Sequence, residues 1–394
     1  MDPLTATHPL TLSESERVLL GHGSGGRLMA ELLAGVIAPE LGLARPAEHA
    51  APAAPAEDAA IVDLEAAGGH GEVIVSTDSF VVTPRFFPGG DIGELAVNGT
   101  VNNLAMRGAR PVAMCLSYII EEGLGIDELR AITASVARAA RSAGVRVVSG
   151  DTKVVGKGAA DGIYITTTGF GVRPRGAHIS AAGAQPDDVV LISGPIGLHG
   201  TAILSVREGL GLEAEIASDT RPLHDLVAAM VEAGGASVHA LRDPTRGGLA
   251  SALNELAETS GINVELDEGA IPVPETVAAA CDLLGLDPLQ VPGEGCLVAF
   301  VAPDAALDVL VAMRAHPAGA QARPIGRAVA SGVPLDRAPA VLTQAYPAEF
   351  HAASPRPSRS IPPPPSAGRV HMHTMVGATR VVDTFAGAQL PRIC

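Results

Sequence analysis

Four oxygen-bearing side chains stand out in the first half of the sequence, and three of them follow or precede predicted strands. They are Asp58, Asp78, Asn103 and Asp151, in the runs EDAA, STDS, VNN and SGDTK. Side chains at neighbouring strand ends can converge at one edge of a sheet, so we expect these groups to lie close together. Carboxylate and amide oxygens suit Mg²⁺, which proteins commonly share with nucleotide phosphates. The alternative is that these residues only cap turns.

Two glycine-rich runs could bind a phosphate group. GHGSGG at 21–26 precedes a predicted helix, and DPTRGG at 243–248 places Thr245, Arg246 and Gly247 before another. Backbone N–H groups at such positions favour anions. An ordinary glycine-rich turn and an ordinary Asp-Pro helix start explain the two runs equally well, and no Walker A sequence occurs.

Two further groups carry weaker signals. Lys153 follows Asp151 by two residues and could contact phosphate or transfer a proton if its pKa is lowered, although most lysines are only solvated. His371 and His373 have the spacing of two ligands on one strand face. Neither a thiolate nor an acid cluster accompanies them in the sequence, so we do not predict a metal site there.

The final residue, Cys394, places a thiol where the chain constrains it on one side only. We expect the adjacent terminal carboxylate to raise the thiol pKa and to disfavour spontaneous thiolate chemistry. The position therefore suits a carrier that is loaded at one site and processed at another, although a terminal cysteine without a function is the simpler interpretation. The other three cysteines stand in apolar runs without a CxxC pair. This usage predicts a reducing, cytoplasmic compartment.

The composition predicts a globular protein with an acidic surface. Of 394 residues, 47% are hydrophobic, and 27 basic against 43 acidic side chains give a net charge of −16. Such a charge argues against nucleic acid and against anionic membranes as partners, but a nucleotide needs only a local metal or a few basic groups. We find neither a signal peptide nor an apolar run long enough for a membrane span.

Apolar periodicity predicts two α+β halves that meet near residue 180. The first half contains strands at 72–82, 112–120, 145–151 and 163–171 and helices at 91–107 and 126–143. Gly99 lies inside the first of these helices and predicts close packing or ligand approach. An earlier helix is expected to bury Leu28, Leu32, Leu33 and Val36 on one face. Nine of the 36 residues from 334 to 369 are prolines, which is typical of an extended spacer.

Several long motifs resemble one known family. They are STDSFVVTPRFFPGGDIGELAVNGTVNNLAM at 76–106, EEG at 121–123, SGDTKVVGKG at 149–158, RDPTRGGLASALNELA at 242–257 and QLPRIC at 389–394. Together they are similar to the HypE family of hydrogenase maturation factors. The resemblance implies the α+β, two-domain, aminoimidazole ribonucleotide synthetase-like ATP-binding fold, with a homodimer formed through the N-terminal domains and a flexible C-terminal tail.

This resemblance leads us to divide the chain into five parts. We expect a glycine-rich loop and helix at 1–45, an ATP-binding and dimerisation domain at 46–180, and a C-terminal α+β domain at 181–333. A proline-rich spacer at 334–369 and a mobile tail at 370–394 complete the chain.

The resemblance also implies a reaction. A HypF-type carbamoyltransferase loads a carbamoyl group onto Cys394, and the protein dehydrates this thiocarboxamide to a thiocyanate with ATP. The cyano group then passes to iron on a HypC–HypD scaffold and becomes a cyanide ligand of [NiFe] hydrogenase. Phosphorylation turns the amide oxygen into a good leaving group, and two N–H protons must also leave, so a base is needed.

The family's functional residues map onto matching positions of this sequence. By this resemblance Asp58, Asp78 and Asp151 hold Mg²⁺-ATP, with Asn103 at the metal site. Lys153 and Glu294 form a proton-handling pair beside the carrier Cys394. Thr245, Arg246 and Gly247 lie near phosphate.

The sequence departs from the family pattern at several places. Asn103 stands where an aspartate is expected, Leu198 replaces another aspartate, and Pro292-Gly293 replaces Ala-Asn before Glu294. The proline-rich stretch at 334–369 is also longer than the family's connection to its tail. The changes at Asn103 and Pro292-Gly293 keep open a non-catalytic thiol carrier or scaffold in the same pathway. A small-molecule kinase of the same fold is a further alternative, although it has no use for a terminal thiol. A selenophosphate synthetase would need a reactive residue near the N-terminal glycine-rich loop, whereas the first cysteine here is Cys115.

Overall fold

A computed structural model describes residues 17–19, 22, 32–42, 72–174, 177–211, 216–331, 368–384 and 393. Asp58, most of the GHGSGG run, nearly all of the proline-rich segment and Cys394 lie outside the described residues. In the described N-terminal part, a π-helical turn at Leu33–Ile37 continues into an α-helical turn at Ala38–Glu40. Leu32 and Val36 are buried as expected, but Leu33 is exposed, so its predicted burial is wrong. Leu28 lies outside the described residues.

The N-terminal domain consists of a four-stranded sheet, covered by two helices on one face, and a short two-stranded sheet. Its strands are β1 (Glu72–Phe80), β2 (Phe86–Phe87), β3 (Gly90–Asp91), β4 (Arg110–Glu121), β5 (Arg146–Val155) and β6 (Ile163–Arg173). Its helices are α1 (Ile92–Ala105) and α2 (Ile126–Ser142). Strands β2 and β3 form the short sheet. The main sheet has the order β1-β6-β4-β5, in which only β4 and β5 run parallel. β1 and β5 are therefore its opposite edges.

Alternation along the strands decides which side chains face the helices. On β4, Met114, Leu116 and Tyr118 are buried, whereas Ile119 is 40% exposed on the other face. Successive strand side chains point to opposite faces, so the sheet has one helix-covered face and one outer face.

Helix α1 is buried on nearly every side because it lies between the sheet and the C-terminal domain. Asp91 begins the helix, since its Oδ1 atom accepts hydrogen bonds from the N–H groups of Gly93 and Glu94 at 2.7 and 3.1 Å. A Cβ atom on Gly99 would lie 3.0 Å from the ring of Phe80. The predicted close packing at this glycine is therefore confirmed.

The C-terminal domain contains a seven-stranded sheet with helices on both faces. Its strands are β7 (Val189–Ile192), β8 (Val238–Arg242), β9 (Ile262–Asp267), β10 (Val298–Val301), β11 (Arg323–Ala330), β12 (Val370–His373) and β13 (Thr379–Val382). Its helices are α3 (Leu198–Glu208), α4 (His224–Gly234), α5 (Gly248–Ser260), α6 (Glu275–Leu284) and α7 (Ala306–Ala315). The sheet order is β13-β12-β9-β11-β7-β10-β8. One buried cluster joins one face to α5, and another joins the opposite face to α4 and α7.

The predicted tail does not begin at residue 370. β12 pairs in parallel with β9, and Val370 and Met372 are buried in the core of this domain. The prediction of a mobile segment from 370 onward is therefore wrong for the two strands, because their apolar side chains complete the sheet. His371 is buried within β12, and the described part of the chain holds no group of three metal-binding side chains. No helix in that part is long and apolar enough to cross a membrane.

Candidate active site between the two domains

Acidic side chains from both domains approach one another between the two sheets. Asp78 lies on the helix-facing side of β1, and the Nδ2 atom of Asn103 on α1 lies 3.5 Å from its Oδ2 atom, as a donor. Asp243 directly follows β8, and Glu294 lies in the loop before β10. The side-chain carboxyl groups of Asp243 and Glu294, both from the C-terminal domain, are buried, and Glu294 is only 3% exposed. The structure thus brings Asp78, Asn103 and Glu294 to the same side of the N-terminal sheet.

Burial and like charge perturb these carboxyl groups. Burial, with Asp243, Asp219 and Asp78 nearby, raises the pKa of Glu294 well above its usual range, although the positive charge of Arg246 opposes this. Burial raises the pKa of Asp243 to about 6, and the charge of Asp78 adds to the effect. Pairs of buried acids with raised pKa values are frequent in active sites because they can hold or accept protons near neutral pH.

Asp219 fixes the loop that carries Glu294. Its two carboxylate oxygens accept hydrogen bonds from the N–H groups of Glu294 and Gly295, each at 3.0 Å. The backbone carbonyl of Asp219 lies so close to Gly295 that a Cβ atom there would be 1.7 Å from the carbonyl oxygen. Only glycine fits at this position. Asp219 carries no motif in the sequence, and sequence reasoning missed it.

The DPTRGG turn packs against the same loop. Pro244 accepts a hydrogen bond from the N–H of Gly293 at 2.9 Å, which ties the turn to the residue before Glu294. Gly247 precedes α5 with a φ of +76°, and a Cβ atom there would collide with the side chain of Ser251. The predicted Thr245, Arg246 and Gly247 therefore lie beside Glu294 at the start of a 13-residue helix.

Asn102 connects the two domains at this point. Its Nδ2 atom donates to the carbonyl of Arg221 at 3.0 Å, and its Oδ1 atom accepts from the N–H of Leu223 at 2.8 Å. The same Nδ2 atom lies 3.4 Å from the carbonyl of Glu294. This buried amide fixes α1 against the Glu294 loop. Sequence reasoning missed Asn102 and selected its neighbour Asn103 as the functional residue.

Asp151 and Lys153 lie outside the site between the two domains. Both are on β5, paired with Ser117 and Ile119 of β4, which places them on the outer face of the sheet. Lys153 donates to Asp151 Oδ1 at 2.9 Å, and this hydrogen bond lowers the pKa of Asp151. Three strand spacings of ~4.8 Å separate β5 from β1, which is about 14 Å.

The expected convergence of Asp78, Asn103 and Asp151 is therefore wrong within one chain. Asp151 lies inside a strand, because β5 continues to Val155 instead of ending at the aspartate. Its pairing with Ser117 of β4 places it on the opposite face. The expected pairing of Lys153 with Glu294 is not formed either. Glu294 contacts α1 on the helix-covered side of the sheet, whereas Lys153 is on the outer side.

The penultimate residue of the chain enters the interior. Ile393 is 2% exposed and belongs to a buried cluster that includes Ile203 and Leu204 of α3. Its carbonyl oxygen lies 2.9 Å from the Nε2 atom of His199 on the same helix. The charge of Asp219, which holds the Glu294 loop, acts on His199, the residue that contacts the carbonyl of Ile393.

Comparison with known proteins identifies the family. Residues 56–173 match the family model of the AIR synthase related protein, N-terminal domain, and residues 185–334 match that of its C-terminal domain. A protein named carbamoyl dehydratase HypE from Bradyrhizobium diazoefficiens is 48% identical over 378 residues, which are 95% of each chain. The chain belongs to the HypE family. Its relatives in this family carry the name of an enzyme, carbamoyl dehydratase.

Solved structures of HypE proteins have the same fold. A hydrogenase maturation protein HypE in complex with ATP matches with a TM-score of 0.80 and 40% identity, over 95% of this chain and 99% of that one. A HypE–HypF complex contains a chain that matches with a TM-score of 0.69 and 40% identity, over 79% of this chain and 90% of that one. The predicted two-domain AIR synthase-like fold is confirmed.

Proposed function

We propose that the chain is an ATP-dependent carbamoyl dehydratase that converts a thiocarboxamide on Cys394 into a thiocyanate. One observation carries the proposal. The Oε1 atom of Glu294 is buried without a hydrogen-bond partner among the described residues. Asp219 holds the loop of Glu294, and its charge also acts on His199, which contacts Ile393. A buried polar atom without a partner is costly, so a ligand that supplies the missing hydrogen bond is favoured at this carboxyl group.

The dehydration removes one oxygen atom and two N–H protons from the carried group. The amide oxygen attacks the γ-phosphorus of ATP and releases ADP, and the oxygen leaves as phosphate when the carbon–nitrogen triple bond forms. The two protons need acceptors of adequate basicity. Glu294 and Asp243 have raised pKa values and are therefore stronger bases, when ionised, than ordinary carboxylates. They are the groups that we propose to move protons at the carried nitrogen.

The donor set fits Mg²⁺-ATP. Mg²⁺ is usually held by one or two carboxylates together with phosphate oxygens and water. Asp78 and Asn103 offer two oxygen-bearing groups that are close in space, so phosphates and water would complete the shell. Thr245, Arg246 and Gly247 stand at a helix start, where N–H groups and a guanidinium favour phosphate. Bound Mg²⁺ would neutralise charge on the transferred phosphoryl group.

A homodimer accounts for Asp151 and Lys153. The outer face of the N-terminal sheet exposes apolar side chains, with Val73 49% and Val75 56% exposed, together with Ile119. Asp151 and Lys153 lie on this same face. We propose that a second copy covers it, so that these two residues serve the nucleotide of the neighbouring chain. This arrangement removes the conflict between the family pattern and the separation seen in one chain.

The same proposal assigns the protein partners. A HypE protein forms a complex with HypF, so we propose that a HypF-type carbamoyltransferase loads Cys394 of this chain. The cyano group would then pass to a HypC–HypD iron scaffold for the cyanide ligand of [NiFe] hydrogenase. The cytoplasmic location stays a prediction from the cysteine usage.

One observation favours a second candidate, a non-catalytic thiol carrier. The amide of Asn103 donates to Asp78, whereas the family pattern has a second carboxylate at this position. Measuring ATP hydrolysis with a carbamoylated tail separates the candidates. The dehydratase hydrolyses ATP only when the tail is loaded, and Glu294→Gln lowers that rate at least about 100-fold, the usual size of a general-base effect.

A matched control for this experiment is Glu265→Gln, which removes another buried carboxyl group of the C-terminal domain, one paired with Arg327 far from the acidic cluster. It should keep the loaded-tail ATPase rate within about a factor of two once folding is verified. A loaded wild-type protein that hydrolyses no ATP would establish the carrier instead.

A further inference from the structure

The contact between His199 and the tail has a defined direction. The carbonyl oxygen of Ile393 can only accept a hydrogen bond, so the Nε2 atom of His199 carries the proton and donates across 2.9 Å. On the other side of the ring, Nδ1 lies 2.8 Å from the hydroxyl oxygen of Ser218. Burial lowers the pKa of His199, so the ring is neutral and Nδ1 accepts from Ser218.

The imidazole is also held in orientation. The ring of Phe87 packs against it edge to face, with ring centroids 5.3 Å apart. His199 and Ile203 stand four residues apart on α3 and therefore share one face of the helix. The helix thus offers Ile393 a hydrogen-bond donor for its carbonyl group and apolar contacts for its side chain.

We propose that His199 is the positioning residue that holds the tail in its inward state, with the peptide carbonyl of Ile393 as its ligand. The inference rests on the proposed carrier role of Cys394, the residue that follows this carbonyl. Recognition through a backbone carbonyl does not depend on what the cysteine carries. The free, carbamoylated and dehydrated tails can therefore all dock in the same way.

The contact between His199 and Ile393 is weak enough for a carrier tail that has to leave the site after the reaction. One neutral hydrogen bond and one buried isoleucine stabilise docking modestly. An undocked tail would leave Nε2 of His199 without the carbonyl of Ile393, and the loss of this hydrogen bond favours the inward state. Docking also places the tail beside Asp219, which fixes the loop of Glu294. His199 therefore brings the carrier to the acidic cluster without touching the reacting atoms.

The test measures how fast iodoacetamide alkylates Cys394, by mass spectrometry of the C-terminal peptide, in protein that holds neither ATP nor a carbamoyl group. His199→Leu removes both ring nitrogens and should raise the rate at least about five-fold. His199→Gln keeps an amide donor near the position of Nε2 and should restore most of the protection. His224→Leu changes a half-buried histidine of α4 and should leave the rate unchanged.

Cys281 separates positioning from loosening of α3. Cys281 lies on α6 and is buried, and its side chain is hydrogen-bonded to Thr201 of α3. The proposal requires faster alkylation of Cys394 without faster alkylation of Cys281. Equal rates at Cys394 in wild type and His199→Leu, or parallel increases at both cysteines, would overturn it.

If His199→Leu does not fold, Ser218→Ala leaves the ring in place and removes the hydroxyl that fixes its tautomer. It should raise the alkylation rate of Cys394 about two-fold, and no change there would contradict the proposal. If Cys394 is protected from alkylation but the protein has no dehydratase activity, the proposed function is wrong and the role of His199 stands. If the protein dehydrates its tail although Cys394 is unprotected, the role of His199 is wrong and the proposed function stands.

Discussion

Asp78 and Asp151 can be tested together, because their strands β1 and β5 lie three strand spacings apart, about 14 Å, and the two residues are on opposite faces of one sheet. If both serve one nucleotide, they must come from different chains. Asp78→Ala and Asp151→Ala homodimers should each lack loaded-tail ATPase activity. A heterodimer of the two variants should regain one intact site of its two, which gives about half of the wild-type activity in a symmetric dimer.

The assay uses two tags to purify the heterodimer after co-expression and measures ATP hydrolysis with carbamoylated tails. The matched control is a heterodimer of Asp78→Ala with Glu294→Gln. Both of those residues face the same interdomain site of one chain, so the control should have only background activity. An inactive Asp78→Ala/Asp151→Ala heterodimer would refute the shared site, since a site built within one chain cannot be complemented.

Three further predictions follow from the contacts of the site. Gly295→Ala should destabilise the fold by about 1–3 kcal/mol and reduce turnover, because its Cβ atom would displace the carbonyl of Asp219; unchanged thermal unfolding and kinetics would contradict this close fit. Asp243, with a folded pKa raised to about 6, stabilises the fold below pH 4 and loses about 3 kcal/mol of that contribution as the pH rises to 6. Urea unfolding at several pH values should show this loss in wild type and not in Asp243→Asn, and parallel pH curves for the two proteins would argue against it. Asn103→Asp should strengthen Mg²⁺-ATP binding by about 1 kcal/mol, since it adds a carboxylate beside Asp78. Titration calorimetry with equal or weaker binding by that variant would place residue 103 outside the metal shell.

The spacing of apolar residues predicted helices and strands well where one face of the helix or strand is buried. The helix expected at 126–143 is observed as Ile126–Ser142, since Leu129, Ile132 and Val136 recur at helical spacing and are buried. The strand expected at 145–151 continues to Val155, because Thr152, Val154 and Val155 favour extended backbone and the first glycine after them is Gly156. That extension moved Asp151 from an expected strand end to a strand interior.

Non-local pairing accounts for what the sequence did not predict. The order β1-β6-β4-β5 separates two strands whose acidic residues have similar settings in the sequence. The pairing of β12 with β9 joins residues about a hundred positions apart, so the local sequence at 370–373 suggests a tail and gives no sign that this segment completes the sheet. Asp219 acts through the backbone of Glu294 and Gly295, 75 and 76 positions later, and such a role carries no local signal.

The central claim is that the chain dehydrates a carbamoyl group on Cys394 at the expense of ATP. Mass spectrometry of the C-terminal peptide tests it most directly, after loading by a HypF-type carbamoyltransferase and incubation with Mg²⁺-ATP. We predict that the loaded peptide loses the mass of one water, that ADP forms in equal amount, and that Cys394→Ala protein shows neither loading nor loss. A loaded peptide that keeps its mass while the protein binds ATP would contradict the claim.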